Sequence, residues 1–165
     1  MTGTDDLLDR NRAYAGGHTG ADLPAQPRLR VAVLTCMDAR VLPARALGLT
    51  EGDAHVIRNA GGLATDDAVR SLVLSQRLLG TEEILVVHHT RCGMEGLREE
   101  ELLSTLEDET GRRPGFDLGG FEDVEEDVRR TVARLRDEPF LLHRRVRGFV
   151  YDVETGRLRE VAAEG

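Results

Sequence analysis

The chain has 165 residues, 40% of them hydrophobic, which suits one packed domain that buries roughly 68–70% of its unfolded surface. Its 22 basic and 30 acidic side chains leave a net charge of −8, which argues against nucleic acid or an anionic membrane surface as the main partner. Two cysteines, Cys36 and Cys92, are too few for a disulfide scaffold and favour a reducing, cytoplasmic compartment. No apolar run approaches the roughly 18 residues of a membrane span, and the polar, acidic start is unlike a signal peptide.

Residues 1–28 predict an N-terminal arm followed by a linker. Leu7, Leu8 and Tyr14 recur at helical spacing, and glycines follow them. The two prolines of ADLPAQPR (21–28) favour an extended linker. Because an arm that leaves the core in this way often packs on another subunit, we expect at least a homodimer.

The rest of the chain alternates predicted strands with predicted helices. This pattern is typical of an α/β fold with a mostly parallel central sheet and flanking helices. The predicted strands are apolar runs at residues 29–36, 54–62 and 82–89, and the second of them opens into a glycine turn. The predicted helices cover residues 43–49, 66–79, 97–110 and 121–136, and we expect Thr65 to cap the start of the second helix and Gly80 to stand at its end. Residues 147–153 and 157–161 predict an antiparallel hairpin or edge strand at the C-terminus, so residues 1–165 are expected to form a single domain.

Three polar clusters stand at the carboxyl ends of the three predicted strands. They are CMDAR (36–40), RNAGG (58–62) and HHTRCG (88–93). Sites in open parallel sheets form beyond the carboxyl ends of the strands, near the point where the strand order reverses. We therefore expect the three clusters to meet at one edge of the sheet.

The cysteines and one histidine in these clusters have the chemistry of a zinc site. His89 and Cys92 are three residues apart, a spacing that lets both side chains bind one ion, and Cys36 can join them from the neighbouring strand end. Two thiolates with an imidazole favour Zn²⁺, and three protein ligands leave a fourth position open, as in catalytic zinc sites. His88 points to the opposite face of the strand, so we assign it to packing or a hydrogen bond.

Asp38 and Arg40 add an acid–base group beside the predicted metal. Asp38 can occupy the fourth zinc position in a closed state, or it can accept a proton from a water there. Arg40, two residues further on, can pair with Asp38 and hold it away from the metal.

Four residues of the same clusters are candidates for lining a substrate pocket. They are Asn59, Gly61, Gly62 and Gly93. Other chemistries fail on spacing: the cysteine-phosphatase loop needs an arginine six residues after Cys36, where Leu42 stands, and no glycine-rich phosphate loop opens a helix. The two cysteines are also too far apart for a C-x-x-C redox pair.

Taken together, these motifs resemble the β-class carbonic anhydrases. The signatures of that family are C-x-D-x-R and H-x-x-C-G, which read here as residues 36–40 and 89–93, and the RNAGG segment and SLVLSQRLLGTEEILVVHHT (71–90) are also similar. The resemblance implies one zinc ion per chain on Cys36, His89 and Cys92, with an Asp38–Arg40 dyad. It also implies an obligate dimer with sites at the subunit interface.

The activity implied by the resemblance is the reversible hydration of carbon dioxide to bicarbonate by zinc-hydroxide attack, in a small apolar pocket. The short chain resembles the compact bacterial branch, which includes zinc hydrolases of carbonyl sulfide or carbon disulfide, and that substrate class is the first alternative. Two further alternatives are a metal-free cysteine hydrolase that uses Cys36 with His89, and a non-catalytic zinc module closed by Asp38. Metal content and carbon dioxide hydration at alkaline pH distinguish them.

Overall fold

Five strands form one sheet in the order β2-β1-β3-β4-β5 in the computed structural model, which describes residues 2–161. The strands are β1 (Val31–Cys36), β2 (Ala54–Asn59), β3 (Glu83–His89), β4 (Arg145–Tyr151) and β5 (Leu158–Val161). The helices are α1 (Gly3–Ala15), α2 (Pro43–Leu47), α3 (Asp66–Leu79), α4 (Glu99–Thr110) and α5 (Val124–Asp137). β1 to β4 pair in parallel and β5 runs antiparallel to β4, which confirms the predicted fold class.

The main core lies between one face of the sheet and the helices α3 and α5. Alternate residues of each central strand point to this face, because successive side chains of a strand face opposite sides. The fully buried members of this core include Ala32, Leu34, Leu72, Ile84, Val86, Val128, Leu135 and Val146. The core therefore holds the central strands rigidly, and their carboxyl ends with them.

Local capping sets the ends of the two core helices. Thr65 accepts a hydrogen bond from the backbone N–H of Ala68, and Gly80 ends α3 in the left-handed conformation, as the sequence predicts. The prediction that the last helix begins at Phe121 is wrong. Asp123 caps α5 by accepting a hydrogen bond from the Glu126 N–H, so Phe121 lies in the preceding loop.

Two predicted strands are shorter in the structure. β1 begins at Val31 because Arg30 has a positive φ of 56° and its N–H bonds to the Pro27 carbonyl in a turn. β2 ends at Asn59, and Ala60–Gly62 form a 3-10 turn in place of further strand. The predicted glycine turn is therefore confirmed, with the strand stopping before it.

The N-terminal arm is a helix whose side chains are all at least partly exposed. Thr2 and Asp5 cap α1 reciprocally, yet none of its residues is buried. Over residues 2–161, no helix combines the length and the apolar character that a membrane span requires.

Candidate metal centre

The strand order brings the predicted clusters together at one edge of the sheet. β1 lies between β2 and β3, so Cys36 pairs in register with Asn59 on one side, and Thr35 pairs with Val87 on the other. The Thr35 hydroxyl also donates a hydrogen bond of 2.7 Å to the Val87 carbonyl, which fixes β1 against β3 just before both strands end. The end of β1 is therefore held beside the end of β3.

Cys36, His89 and Cys92 converge there as one buried cluster. The two Sγ atoms are 3.9 Å apart, and the three candidate ligand atoms lie within 4.8 Å of one another. Thr90 accepts a 3.0 Å hydrogen bond through its carbonyl from His89 Nδ1, so the proton of the neutral ring lies on Nδ1. His89 Nε2 is buried without a hydrogen-bond partner. A lone pair facing two buried thiols fits a soft tetrahedral ion such as Zn²⁺.

The electrostatics of the cluster favour a thiolate. The pKa of Cys36 is lowered because its sulfur accepts a hydrogen bond from Cys92, and this outweighs the opposing effect of burial. The pKa of Cys92 is raised by the same hydrogen bond and by burial. Burial would lower the pKa of His89, but the contacts with Cys36 and with the Thr90 carbonyl outweigh it and raise the pKa. Of the three candidate ligands, Cys36 is therefore the one whose surroundings favour the anionic form, which is the form that binds a metal ion.

Asp38 and Arg40 form a two-pronged pair at the edge of the cluster. Arg40 Nε donates to Asp38 Oδ1 at 3.0 Å, and a terminal nitrogen of the same guanidinium donates to Oδ2 at 2.7 Å. The hydrogen bonds from the side chain and the backbone N–H of Arg40 hold the pKa of Asp38 well below its usual range. Asp38 Oδ2 lies 3.8 Å from His89 Nε2, so the carboxylate is beside the cluster while Arg40 occupies both of its oxygens.

Arg58 supports the same turn, and the sequence analysis did not select it. Its guanidinium donates to the backbone carbonyls of Cys36, Asp38 and Val41, each at 2.9 Å. The sequence signal that could have found it is its place as the charged first residue of the RNAGG cluster, in a predicted strand that is otherwise mostly apolar.

The four candidate lining residues have different surroundings. Asn59 closes the turn after β2, with its amide bonded at 2.8 Å to both the N–H and the carbonyl of Leu63. The backbone of Gly61 contributes to the lowered pKa of Cys36, and Gly62 packs against the backbone of β1. Gly93 is exposed and has open space at its Cα.

Apolar side chains cover the thiols from the loop before α5. Phe121 is buried against Cys36 and Cys92, and Met94 and Val124 pack beside it. The surroundings of the cluster are therefore dry, which strengthens electrostatic interactions within it.

Comparisons with known proteins identify the class of this fold and site. A family model described as carbonic anhydrase matches residues 31–112. "Beta-carbonic anhydrase 1" of Mycobacterium tuberculosis is 49% identical over 162 residues, covering 98% of this chain and 99% of that protein. The crystal structure of carbonic anhydrase from Streptococcus mutans superposes with a TM-score of 0.91 at 44% identity, covering 98% of this chain and 99% of the other.

A less similar relative is named for a different activity. A protein named carbon disulfide hydrolase from Acidithiobacillus thiooxidans is 36% identical over 156 residues, covering 79% of this chain and 76% of that protein. Identity and coverage are both higher for the Mycobacterium tuberculosis and Streptococcus mutans anhydrases. The chain belongs to the carbonic anhydrase family, and within it to the β class. Carbonic anhydrases of this class are zinc enzymes, and the Cys–His–Cys cluster fits that ion.

Proposed function

We propose that this protein hydrates carbon dioxide to bicarbonate on a zinc ion held by Cys36, His89 and Cys92. The observation that carries the ligand set is the buried His89 Nε2, which has no hydrogen-bond partner and faces two buried sulfurs. Its Nδ1 proton is held by the Thr90 carbonyl, which leaves the Nε2 lone pair free for a metal. Membership of the β class supports the same activity.

Zinc supplies the Lewis acidity that makes a water nucleophilic near neutral pH, an effect for which carbonic anhydrase is the standard example. The residues of this chain supply the charge balance and the proton acceptor. Cys36 and Cys92 as thiolates neutralise the dication. Asp38 lies beside the cluster, where it can accept a proton or a hydrogen bond from the reacting water while Arg40 keeps its carboxylate ionised.

We assign Asp38 a second role as the group that closes the site. When Arg40 holds both carboxylate oxygens, Asp38 stays off the metal and the fourth position is open to substrate. When Asp38 turns away from Arg40, its carboxylate can become the fourth ligand. The two-pronged contact with Arg40 supports the open arrangement.

The substrate side of the site is expected to be small and apolar, because carbon dioxide has no charge and few hydrogen-bonding features. Phe121 and Met94 supply apolar surface next to the thiols. Asn59, Gly61, Gly62 and Gly93 remain our candidates for the rest of the lining.

We also propose that the protein works as a homodimer at least. No residue of α1 is buried, and Leu7 is 64% exposed. The sheet face opposite α3 and α5 carries an open apolar cleft of about 200 Å³ whose lining includes Leu29, Val31, Leu49 and Leu85. Exposed apolar surface of this kind is usually covered by another chain. A partner that packs on α1 and on this face would bury both.

A cytoplasmic location is the third part of the proposal. Cys36 and Cys92 are both free and buried, and their sulfurs must stay reduced to bind zinc. A reducing compartment maintains them in that form.

Stopped-flow hydration of carbon dioxide on a zinc-quantified sample tests the activity, with carbonyl sulfide and carbon disulfide hydrolysis measured on the same sample. We expect about one zinc per chain and hydration at alkaline pH, and we expect Cys36→Ser to lose most of the metal and the activity. Ser75→Ala is the control, because Ser75 is a buried residue of α3 whose hydroxyl bonds to His55 and Thr81 and not to the metal centre. Sulfide release without hydration would make the protein a hydrolase of sulfur compounds, and stoichiometric zinc in Cys36→Ser would remove Cys36 from the ligand set.

A further inference from the structure

His88 is a buried polar residue that the proposed reaction does not use. It lies beside His89 in β3 but points to the opposite face of the sheet, and only 1% of its surface is exposed. An imidazole costs free energy when it is buried without partners, so its contacts indicate why this position is polar.

Both ring nitrogens of His88 contact acceptor atoms from distant parts of the chain. Nε2 donates a 3.1 Å hydrogen bond to the Gly62 carbonyl, in the turn that follows β2. Nδ1 lies 3.2 Å from Asp127 Oδ2 of α5, whose other carboxylate oxygen accepts a hydrogen bond from Arg130. Phe121 stacks on the ring, with the ring centroids 6.3 Å apart. The imidazole therefore lies between a core helix and the glycine turn, and its one hydrogen bond within the described part of the chain is to the turn.

The glycine turn contacts Cys36, the ligand contributed by β1. Gly62 has a positive φ of 75° and packs so closely on β1 that a Cβ would lie 2.9 Å from the Cys36 backbone nitrogen. Gly61, the preceding residue, also has a positive φ, of 78°. Two successive glycines with positive φ are conformationally permissive, so a contact from outside the turn is needed to keep the turn packed against β1.

We propose that His88, packed between Asp127 and Phe121, is a positioning residue that holds the Gly61–Gly62 turn against Cys36 and so sets the geometry of that sulfur toward the metal. The inference rests on the proposed function in one respect, the role of Cys36 as a zinc ligand. Beyond that role, it describes a chain of contacts behind Cys36, from Asp127 of α5 through His88 of β3 to Gly62 in the turn after β2. Partners behind a metal ligand typically change metal affinity or activity by about 10–100-fold when they are removed.

Two substitutions of His88 separate this role from simple packing. The amide nitrogen of glutamine reaches about as far as imidazole Nε2, so His88→Gln keeps the donor to the Gly62 carbonyl. The amide nitrogen of asparagine reaches only about as far as Nδ1, so His88→Asn keeps a polar group near Asp127 and loses that donor. Asp127→Ala removes the carboxylate beside the ring and leaves the imidazole in place.

The measurements are zinc affinity by competition with a chelator, and the visible absorption of the cobalt(II)-substituted protein, which reports ligand geometry and thiolate bonding. We expect His88→Asn and Asp127→Ala to weaken zinc binding by about 10-fold or more and to shift the cobalt bands. We expect His88→Gln to stay close to the parent in both. Ser75→Ala is the matched control, because its buried hydroxyl bonds to His55 and Thr81 away from the metal centre. It should lower the unfolding temperature without changing affinity or spectrum.

The outcomes separate this inference from the proposed function. Parent-like zinc affinity and cobalt bands in His88→Asn and Asp127→Ala would overturn the positioning role while leaving the zinc site intact. Equal losses in His88→Gln and His88→Asn would also overturn it, because the donor to Gly62 would then be irrelevant. If the parent protein itself shows no thiolate-to-cobalt absorption, the proposed ligand set of Cys36, His89 and Cys92 is contradicted, and with it the proposed function. Should His88→Asn not accumulate as folded protein, Asp127→Ala against His88→Gln gives the same comparison.

Discussion

At the scale of single residues, one hydrogen bond sets the orientation of the proposed metal-binding imidazole. The Thr90 carbonyl accepts a hydrogen bond from His89 Nδ1, so Nε2 is the nitrogen that faces Cys36 and Cys92. A histidine with both nitrogens free could present either one, and metal binding would then require the tautomer to be selected first. The next residue in the chain thus prepares His89 for a metal.

The Asp38–Arg40 pair gives the first prediction. Arg40→Ala removes the only side chain that bonds both Asp38 oxygens among residues 2–161, so Asp38 becomes free to take the fourth position of the metal. We expect a protein that keeps its zinc but is nearly inactive between pH 7 and pH 8.5. Activity against pH and a zinc-edge X-ray absorption spectrum measure the two effects, with Arg45→Ala in α2 as a control that also removes an exposed arginine. Near-normal activity of Arg40→Ala at pH 8.5 would contradict the gating role.

At the scale of secondary-structure elements, the distance between α5 and β4 depends on a glycine of β4. Gly148 is buried in β4, and a Cβ there would lie 2.3 Å from Val128 Cγ1 and 2.9 Å from Val132 Cγ2. α5 therefore packs on the strand at a distance that a larger residue does not allow. Because α5 also carries Asp127, this close packing bears on the support of the metal centre.

The second prediction follows from that contact. Gly148→Ala should lower the free energy of unfolding by about 1–3 kcal/mol, because two valines of α5 must move to admit the methyl group. Thermal and denaturant unfolding measure the loss. Gly115→Ala is the matched control, since nothing lies within 4 Å of the added atom. An unchanged unfolding temperature in Gly148→Ala would show that α5 can shift without cost.

The third prediction concerns the turn that leads into β2. The Asp53 carboxylate accepts hydrogen bonds of 2.9 Å from the backbone N–H and the hydroxyl of Thr50, and another from Arg28 of the linker. The Thr50 N–H contributes most, followed by the Thr50 hydroxyl and Arg28, and together they lower the pKa of Asp53 below its ordinary value. A carboxylate with a lowered folded-state pKa stabilises the fold above the unfolded value of about 3.9, and loses that effect as the pH falls through the folded value.

Asp53→Asn should therefore unfold at a lower temperature than the parent at pH 7 and at pH 5.5. The difference between the two proteins should narrow as the pH falls below about 4, where the parent carboxylate takes up its proton. Melting curves from pH 7 to pH 3 measure both. A difference that stays constant down to pH 3 would mean that the charge of Asp53 contributes nothing to stability.

At the scale of the whole molecule, the exposed apolar side chains of α1 predict self-association. Fully burying a leucine contributes about 1.5–3 kcal/mol, so Leu7→Glu should raise the dissociation constant of the dimer by at least about tenfold. Ala13→Glu adds the same charge on the opposite face of α1 and should leave association unchanged. Sedimentation velocity at micromolar concentration measures both variants. A parent protein that sediments as a fully active monomer would contradict the proposed dimer.

The fold class and the candidate ligands could be predicted from the sequence, because both rest on local patterns. Apolar runs at residues 29–36, 54–62 and 82–89 predict strands and place the polar residues at their carboxyl ends, although the second strand ends at Asn59 in the structure. Successive side chains of a strand face opposite sides of the sheet, so the sequence predicts that His88 and His89 do so. The structure confirms this prediction. Capping residues likewise place both ends of α3 correctly.

The residues that complete the site from distant parts of the chain can be identified from the tertiary structure alone. The pairing of β1 with β3, the three carbonyls that Arg58 reaches and the contact of His88 with Asp127 join residues 17 to 52 positions apart. Such contacts leave no periodic signal in the sequence, since they depend on how the helices pack on the sheet. Phe121 illustrates the limit: helical spacing assigned it to α5, but the Asp123 cap starts the helix later and leaves the ring against the thiols.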